Sequence, residues 1–247
     1  MIVRMVCGGT GNQLFQYAFG RALSLKRGLP LQFYLERATR DYELIRYNLN
    51  LDFVPRPSGP IYEEPGFAFD PGVFDADPES YYRGYWQSPR YFKDYADIIR
   101  KEVGFKEPPP WGDSFKFRNT VFIHIRRGDY LNSGTREYHG VDLNSYYETA
   151  INYIKERVED PCFLVFSDDL DWCRKNMPYQ VLHCPTSRDE LHLMSKCCHG
   201  IGANSSFSWW ANYLGDRPGR ISIAPKKWFV NESIDTRDLC PTHWIRL

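Results

Sequence analysis

The chain has 247 residues and a mass of 29.1 kDa, which fits one large domain or two small ones. It carries 31 basic and 31 acidic side chains and therefore has no net charge at pH 7. This balance excludes the strongly basic proteins whose main partner is a nucleic acid or an anionic membrane. Aromatic residues make up 16% of the chain, an excess that agrees with a carbohydrate ligand because aromatic faces pack against sugar rings.

The cysteines and the apolar runs indicate the compartment. Seven cysteines occur without paired Cys-x-x-Cys spacing, so we expect a reduced, cytoplasmic protein rather than a disulfide framework. His192, Cys197, Cys198 and His199 lie close in sequence, but adjacent cysteines on a helix point in different directions, and we expect no metal site. No apolar run reaches bilayer length and no signal peptide is recognisable, so any membrane contact is expected to be peripheral, at the inner face of the plasma membrane.

A strand, a glycine-rich loop and a helix are predicted at the start of the chain. Ile2–Val6 indicates a buried strand, Cys7–Asn12 a loop, and the residues that follow keep helical spacing up to Gly28. Such a loop can receive a phosphate through backbone N–H groups and the helix dipole. It has no P-loop lysine, and Leu14 stands where a dinucleotide fingerprint has its third glycine, so a tight turn without a ligand is an equal alternative.

The rest of the first half is less regular. Leu31–Leu35 indicates a second strand, whereas residues 36–84, rich in Tyr, Pro and Asp, predict loops and little else. Ser88-Pro89 is typical of a helix start, and apolar residues keep helical spacing from there to Gly104. Three consecutive prolines within Lys106–Asp113 form a stiff connector. We therefore expect an acceptor-side domain over 1–112 and a second domain over 113–247.

The second half alternates strand and helix patterns, which predicts a parallel sheet with right-handed crossovers. A capping-box pattern at Ser187-Arg-Asp-Glu190 predicts the start of one of its helices. The predicted elements are a central strand within the stretch Thr120–Tyr130, with the apolar run Val121, Phe122, Ile123 and Ile125 and a stop at the turn Gly128-Asp129, followed by a helix 144–158, a strand 162–167, a short helix 170–175, a strand 179–182, a helix through Lys196, a strand 200–203, a helix 206–214 and a strand 221–224.

Polar side chains follow the central strand. His124, Arg126, Arg127, Asp129 and Tyr130 gather at its carboxyl end, where ligands bind in open α/β sheets. The planar guanidinium binds phosphate or carboxylate through paired hydrogen bonds, so the two arginines suggest an anion. Adjacent side chains on a strand point to opposite faces, and therefore only Arg126 shares the face of His124. The alternative is that both arginines are surface ion-pair partners.

Two further loops end strands of the same sheet. Asp168 and Asp169 offer carboxylates for ribose hydroxyls or for the N–H donors of guanine, although such a pair is also typical of a helix N-cap. Asn204-Ser205-Ser206-Phe207 precedes a helix, a composition that suits either a phosphate or a cap. Parallel strands bring their carboxyl ends to one edge, so these loops are expected to meet the arginines.

Four blocks in this order resemble the motifs of bacterial α-1,2-fucosyltransferases, glycosyltransferase family 11. They are Gly8-Gly9-Thr10-Gly11-Asn12-Gln13-Leu14-Phe15-Gln16-Tyr17-Ala18, His124-Ile125-Arg126-Arg127-Gly128-Asp129-Tyr130, Phe166-Ser167-Asp168-Asp169, and Ala203-Asn204-Ser205-Ser206-Phe207-Ser208-Trp209-Trp210. The resemblance implies a GT-B-like α/β fold, with two Rossmann-like domains whose parallel sheets face a central cleft. It also implies transfer of L-fucose from GDP-β-L-fucose to the 2-hydroxyl of a galactoside, with inversion and without a metal ion or other cofactor.

The same resemblance implies residue roles. Arg126 would hold the β-phosphate and stabilise the charge that grows on GDP. The base that accepts the acceptor proton is left open between Asp129, Glu137 and His139, with Asp129 first; a turn carboxylate paired with Arg127 is its equal alternative. The implied donor-binding residues are Gly11, Asn12, Gln13, His124, Arg126, Asp168, Asp169, Asn204, Ser205, Ser206 and Phe207.

Two other functions compete with this one. A silent sugar- or nucleotide-binding module would need no arginine pair at a strand end, and a transferase could use another nucleoside-diphosphate sugar. The expected partners are GDP-fucose and a galactose-containing surface glycan or oligosaccharide, with no nucleic acid and with the oligomeric state open. The chain is short for the family, and the deficit falls in residues 36–84, where acceptor contacts are expected.

Overall fold

A computed structural model describes residues 2–5, 8–35, 42–47, 49, 51–104, 118–128, 130 and 133–247. They form two compact units, Met1–Lys106 with Ile234–Pro241, and Glu107–Ser233 with Thr242–Leu247. The predicted boundary between residues 112 and 113 lies outside the described residues. Within the described part of the chain, no helix combines the length and apolarity required to cross a membrane.

The first unit is built on a four-stranded parallel sheet in the order β2-β1-β4-β3. The central strand β1 is followed by the long helix α1, whose residues are mostly buried and which ends where Gly28 adopts a left-handed conformation with φ 66°. The regular elements are β1 Ile2–Met5, α1 Thr10–Arg27, β2 Gln32–Leu35, β3 Ile61–Glu63, β4 Tyr81–Arg83 and α2 Ala96–Val103.

Two loop predictions for this unit are wrong. The loop predicted through Asn12 ends earlier, because α1 begins at Thr10 and the N–H groups of Asn12 and Gln13 donate to the carbonyl of Gly9. Residues 36–84 contain β3 and β4, three-residue strands without apolar alternation, which are fixed by pairing with distant strands.

The helix predicted from Ser88 is also interrupted. Ser88 caps a short 3-10 turn over Pro89–Tyr91, accepting the N–H of Arg90 at 3.3 Å, and a second 3-10 turn covers Lys93–Tyr95. The α-helix starts only at Ala96. The sequence therefore predicts the cap correctly but not the type of helix that it starts.

The second unit is built on a six-stranded parallel sheet in the order β10-β9-β8-β5-β6-β7. The alternation predicted from the sequence is confirmed, while α3 and β10 were not predicted. Its elements are β5 Thr120–Ile125, α3 Ser133–His139, α4 Asn144–Lys155, β6 Cys162–Ser167, α5 Leu170–Asn176, β7 Gln180–Val181, α6 Ser187–Lys196, β8 His199–Ile201, α7 Ser206–Leu214, β9 Ser222–Ala224 and β10 Ile245–Arg246.

All strands of this sheet are parallel, but the side on which the chain adds new strands changes at one point. From β5 the chain proceeds outward through β6 and β7, then returns to the other side of β5 for β8, β9 and β10. This is the order of Rossmann-type sheets, in which ligands bind outside the carboxyl ends of the strands at the reversal. The reversal lies between β5 and β8.

The central strand β5 is buried on both faces. Val121, Ile123 and Ile125 pack in a core with α4 residues such as Ala150 and Ile154. Phe122 and His124 occupy the opposite face, by the two-residue periodicity of a strand. Burial of both faces explains the continuous apolar pattern from which this strand was predicted.

The segment Ile234–Pro241 belongs to the first unit, although in sequence it lies between two segments of the second unit. Asp238 accepts the N–H of Phe69 at 3.1 Å and pairs with Arg90 at 2.8 Å, and its carbonyl accepts the hydroxyl of Ser88 at 2.8 Å. These bonds join residues about 150 positions apart, which local sequence patterns do not reveal.

We predict that Gly200→Ala lowers the free energy of unfolding. Gly200 pairs with Phe122 across β8 and β5, and an added Cβ would lie 2.1 Å from the Phe122 ring and 2.3 Å from Oδ1 of Asn212. Overpacking of this kind costs about 1–3 kcal/mol, measurable by chemical denaturation.

The matched control is Gly134→Ala in α3 of the same unit, where an added Cβ meets nothing within 4 Å. Its unfolding free energy should stay unchanged or rise by up to about 1 kcal/mol. Equal effects of the two substitutions would contradict the packing described for β5 and β8.

Candidate active site

Three loops meet at the carboxyl edge of the six-stranded sheet. Arg126 and Arg127 follow β5, Asp168 and Asp169 follow β6, and Ser205 precedes α7 after β8. Strand pairing brings them together, because Ile125 is in register with Ser167 and Ile123 with Ile201. The edge therefore combines two guanidinium groups, two carboxylates and a helix N-terminus.

An ion pair joins the ends of β5 and β6. Nη1 of Arg126 lies 3.0 Å from Oδ2 of Asp168, and the two side chains are 23% and 24% exposed. The other carboxylate oxygen of Asp168 accepts the backbone N–H of Arg127 at 2.9 Å. A Cβ at Gly128 would lie 2.6 Å from Oδ2 of Asp168, so only glycine leaves room for this carboxylate.

Arg127 faces a different set of contacts. Its Nε donates to Oδ2 of Asp169 at 3.2 Å, and its guanidinium lies 3.9 Å from the centre of the Trp172 ring. Oδ1 of Asp169 accepts the N–H of Trp172 at 3.1 Å and caps α5. Arg127 is therefore held against α5. The ion-pair alternative predicted for the arginines and the helix-cap alternative predicted for the aspartates both occur.

His124 lies beneath the arginine loop and is only 2% exposed. Its ring centre is 5.7 Å from that of Phe207, and its Nδ1 has no hydrogen-bond partner among the described residues. Burial lowers the pKa of the imidazole below its usual 6.5, and the positive charge of Arg126 lowers it further, while Asp168 opposes the shift. The imidazole is therefore neutral at physiological pH.

The loop before α7 is held by its own polar groups. The Nδ2 of Asn204 donates to the carbonyls of His139 at 3.0 Å and Trp228 at 2.9 Å, so its amide fixes two backbone segments. The hydroxyl of Ser205 accepts the N–H of Phe207 at 3.3 Å and caps the helix. The half-buried Ser206 is the first residue of α7.

A row of rings connects this loop with the arginine. The Tyr130 ring centre is 5.6 Å from the Arg126 guanidinium, and the ring stacks on His139 with centres 5.1 Å apart at 11°. The Tyr130 hydroxyl donates to the carbonyl of Asn204 at 2.9 Å. The structure thus brings His139, one of the predicted bases, into the neighbourhood of Arg126. Of the two other predicted bases, Glu137 is an exposed residue of α3 and Asp129 lies outside the described residues.

Glu190 is a functional candidate that the sequence pattern concealed. The capping box assigned it to a helix cap, but the actual N-cap is Thr186, which accepts the N–H of Asp189 at 3.1 Å. Burial raises the pKa of the Glu190 carboxyl to about 7, the charge of Asp168 adds to the rise and that of Arg126 opposes it. Glu190 therefore interacts electrostatically with the Arg126–Asp168 pair. Local sequence patterns do not reveal this interaction, because the three residues are far apart in sequence.

The three donor-binding residues predicted near the amino terminus belong to the first unit. Gly11 is buried in α1, and Oδ1 of Asn12 accepts the side-chain N–H of Gln87 at 2.8 Å. Gln13 donates to the carbonyl of Gly8 at 2.9 Å and accepts the N–H of Glu43 at 2.9 Å. Their predicted contact with the donor stays a prediction.

Among the described residues, no group of three or more His, Cys, Asp and Glu side chains is arranged to hold a metal ion. In the segment His192–His199, where the sequence analysis expected no metal site, Nδ1 of His199 accepts the N–H of Ile221 at 3.0 Å. The thiol of Cys197 donates to the carbonyl of Leu193 at 3.5 Å.

A parallel sheet in Rossmann order, with arginines and a helix N-terminus at its reversal, is the arrangement of nucleotide-binding α/β proteins. The family described as Glycosyl transferase family 11 matches residues 69–247. The chain therefore belongs to glycosyltransferase family 11, as the sequence motifs predicted.

Three relatives illustrate the range of the family. An alpha-1,2-colitosyltransferase of Escherichia coli is 32% identical over 293 residues, with 100% of this chain and 99% of the relative covered. The O-antigen biosynthesis glycosyltransferase WbnK of Escherichia coli is 41% identical over 139 residues, covering 52% of this chain and 45% of WbnK. A galactoside alpha-(1,2)-fucosyltransferase 1 of Leontopithecus chrysomelas is 35% identical over 106 residues, covering 39% of this chain and 29% of the relative.

The solved structure of the fucosyltransferase NodZ from Bradyrhizobium has a similar fold. The TM-score is 0.50 at 11% identity, with 86% of this chain and 93% of NodZ covered. At this identity the likeness concerns the fold alone. The predicted α/β, GT-B-like class is confirmed by this likeness and by the two parallel sheets.

We predict that His124 does not titrate between pH 5 and pH 8, because both its burial and the charge of Arg126 disfavour the imidazolium. Two-dimensional NMR of ¹⁵N-histidine-labelled protein should show constant, neutral imidazole shifts for this residue. Free imidazole added to the same sample provides the reference titration. A midpoint near 6.5 for His124 would contradict the buried site described here.

Proposed function

We propose that this family 11 glycosyltransferase moves L-fucose from GDP-β-L-fucose to the 2-hydroxyl of a galactoside, with inversion at the transferred carbon. The observation that carries the proposal is the position of Arg126 after β5, the strand next to β8, whose following loop leads into the N-terminus of α7. Anions bind at such helix ends, and a guanidinium matches the geometry of phosphate oxygens. The diphosphate of GDP is the proposed anion.

Arg126 has the role of a charge clamp in this proposal. Negative charge develops on the β-phosphate as its bond to the sugar breaks, and a guanidinium fixed beforehand stabilises that charge without reorganisation. Asp168 positions the guanidinium, since its own carboxylate is anchored by the N–H of Arg127. A guanidinium has five N–H donors, so the pair with Asp168 and a bound phosphate can coexist.

The proposed reaction is a single displacement. The galactoside oxygen forms a bond to C1 of fucose, the bond from C1 to the β-phosphate oxygen breaks, and GDP leaves with the electron pair. The hydroxyl proton passes to a base, for which we propose Asp129 first and His139 or Glu137 as alternatives. A dissociative path, with positive charge on the sugar ring, requires little of that base.

We further propose that no metal ion takes part. Arginine and the α7 N-terminus supply the positive potential that divalent ions supply to pyrophosphate in other enzymes. His124, Asp168 or Asp169, Asn204, Ser205, Ser206 and Phe207 would complete the donor site from the same edge. The second unit would hold the donor, with Gly11, Asn12 and Gln13 of the first unit approaching the same ligand.

A second candidate differs only in the donor sugar. The Escherichia coli relative that is 32% identical over the whole chain transfers colitose, as its name states. Colitose is fucose without the 3-hydroxyl, so GDP-colitose would present the same diphosphate to Arg126. For either donor, the acceptor is proposed to be a precursor of a surface polysaccharide or oligosaccharide, modified in the cytoplasm.

The purified protein, incubated with lactose and either GDP-fucose or GDP-colitose, is expected to form an α-1,2-linked product and GDP. Adding EDTA should leave the rate unchanged, because the charge clamp is an arginine. UDP-galactose and a galactoside methylated at the 2-hydroxyl serve as controls. Preferred use of UDP-galactose, or product formed with the methylated acceptor, would overturn the proposal.

The neighbouring arginines provide a matched pair of substitutions. Arg126→Ala should lower kcat by about 10²–10³ while leaving the unfolding midpoint nearly unchanged. Arg127→Ala should lower the midpoint more and kcat less, because Arg127 is held by Asp169 and Trp172 against α5. Steady-state kinetics and thermal unfolding measure both effects. The reverse order of the two effects would contradict the assignment of Arg126.

A further inference from the structure

Two neighbouring strands of the six-stranded sheet separate at the carboxyl edge. Pairing between β5 and β8 ends at Ile123 and Ile201, whereas pairing between β5 and β6 continues to Ile125 and Ser167. The backbone groups that follow Ile123 on the β8 side therefore leave the ladder. Buried carbonyl groups require a hydrogen-bond donor, so these groups need partners from outside the sheet.

The carbonyl of His124 is the first of these groups. In a parallel ladder, alternate residues bond to alternate neighbours, and the carbonyl of Asn119 bonds to β6, so that of His124 points to β8. A continued ladder would bring it the N–H of Ala203, but this N–H donates to Oγ of Ser208 at 3.1 Å. The hydroxyl of Tyr147 in α4 donates to the His124 carbonyl instead, at 2.9 Å.

The carbonyl of Gly202, just after β8, lacks a sheet partner for a different reason. The N–H of Gly202 donates to the carbonyl of Ile223 in β9 at 2.9 Å, so the Gly202 carbonyl also points to β9. The residue that would donate to it in a continued ladder is Pro225, which has no N–H. The hydroxyl of Tyr146 donates to this carbonyl at 2.6 Å.

Two consecutive residues of α4 thus supply donors to two strand ends. The helix is anchored by Ala150 and Ile154 in the core, and Tyr146 is buried with them. Burial raises the pKa of Tyr147 above its usual 10, so its hydroxyl stays protonated and remains a donor. Phenylalanine would fill the same space at either position but would leave the carbonyl without a donor.

The two carbonyls stand directly before the loops of the proposed donor site. Arg126 lies two residues after His124, and Ser205, the cap of α7, lies three residues after Gly202. A bond to the last peptide of a strand limits how far the following loop can move. A misplacement of about 1 Å can lower a rate about a hundredfold, so such bonds affect the reaction without contacting the substrate.

We propose that Tyr146 and Tyr147 are positioning residues of the donor site. Tyr147 fixes the point where the loop with Arg126 leaves β5, and Tyr146 fixes the point where the loop before α7 leaves β8. The proposal rests on the proposed function, because it takes Arg126 and the N-terminus of α7 as the groups that bind the diphosphate. Neither tyrosine is assigned a contact with the donor.

Steady-state kinetics of the full chain separates the two roles. Tyr147→Phe should lower kcat about tenfold and keep the donor KM within about threefold of wild type, because a misplaced Arg126 loses mainly stabilisation of the transition state. Tyr146→Phe should raise the donor KM about tenfold, because the N-terminus of α7 binds the diphosphate before the reaction. Wild-type values of kcat and donor KM in both variants would overturn the proposal.

Two control variants lie on the same helix. Ile154→Val removes a buried methyl group and should lower the thermal unfolding midpoint about as much as Tyr147→Phe does, with kcat and donor KM within about twofold of wild type. Tyr153→Phe removes a hydroxyl from a ring that lies 3.7 Å from the Arg157 guanidinium, and it should also leave both constants within about twofold. A tenfold loss of kcat in Ile154→Val would contradict the proposal, because general destabilisation of α4 would then explain the effect.

Amide hydrogen exchange tests the anchor without any reaction. The N–H of Arg127 donates to Asp168 at 2.9 Å, and its exchange should be at least about fivefold faster in Tyr147→Phe than in Ile154→Val. Equal exchange in the two variants would overturn the proposal. If wild-type protein transfers no sugar, the proposed function fails, and this is a separate result.

If Tyr147→Phe does not fold, the hydroxyl of wild-type Tyr147 decides the question. In equal parts of H2O and D2O, a slowly exchanging hydroxyl gives two resolved ¹³Cζ signals, one for each isotope. Two signals for Tyr147 support the anchor, and one averaged signal contradicts it.

Discussion

The ion pair between Arg126 and Asp168 is the interaction on which the candidate active site depends. It joins the ends of two neighbouring strands, and it requires glycine at position 128 and the N–H of Arg127 to hold the carboxylate. A partly exposed ion pair of this kind contributes little to stability. The ion pair matters because it fixes the position of the Arg126 guanidinium at the carboxyl end of β5 before any ligand binds. Preorganised charge stabilisation requires such a fixed group.

The two units follow the same structural logic at their carboxyl edges. In the second unit a carboxylate from one strand end positions the loop after the neighbouring strand, and in the first unit Glu64 does the same for Tyr85 and Trp86. The strands supply rigidity, while the loops carry the exposed groups. One edge presents guanidinium groups and the other presents aromatic rings.

Local patterns predict the elements of the second unit well, because strands buried on both faces leave continuous apolar runs. The helix Ser206–Leu214 is found with the predicted bounds, and the predicted central strand occupies Thr120–Ile125. The short strand Tyr81–Arg83 has no such pattern and depends on distant pairing partners. The site shows the same limit, since the sequence places Arg126 at a strand end but does not reveal that Glu190, assigned to a cap, lies near it.

The central claim is that Arg126 binds the β-phosphate of the donor. Calorimetric titration with GDP and with GMP tests it most directly, because the two ligands differ only in that phosphate. Wild-type protein should bind GDP at least about tenfold more tightly than GMP, as a charge-assisted hydrogen bond contributes about 1.5–3 kcal/mol. The account predicts that this preference disappears in Arg126→Ala while GMP affinity is kept. An undiminished preference for GDP in that variant would contradict it.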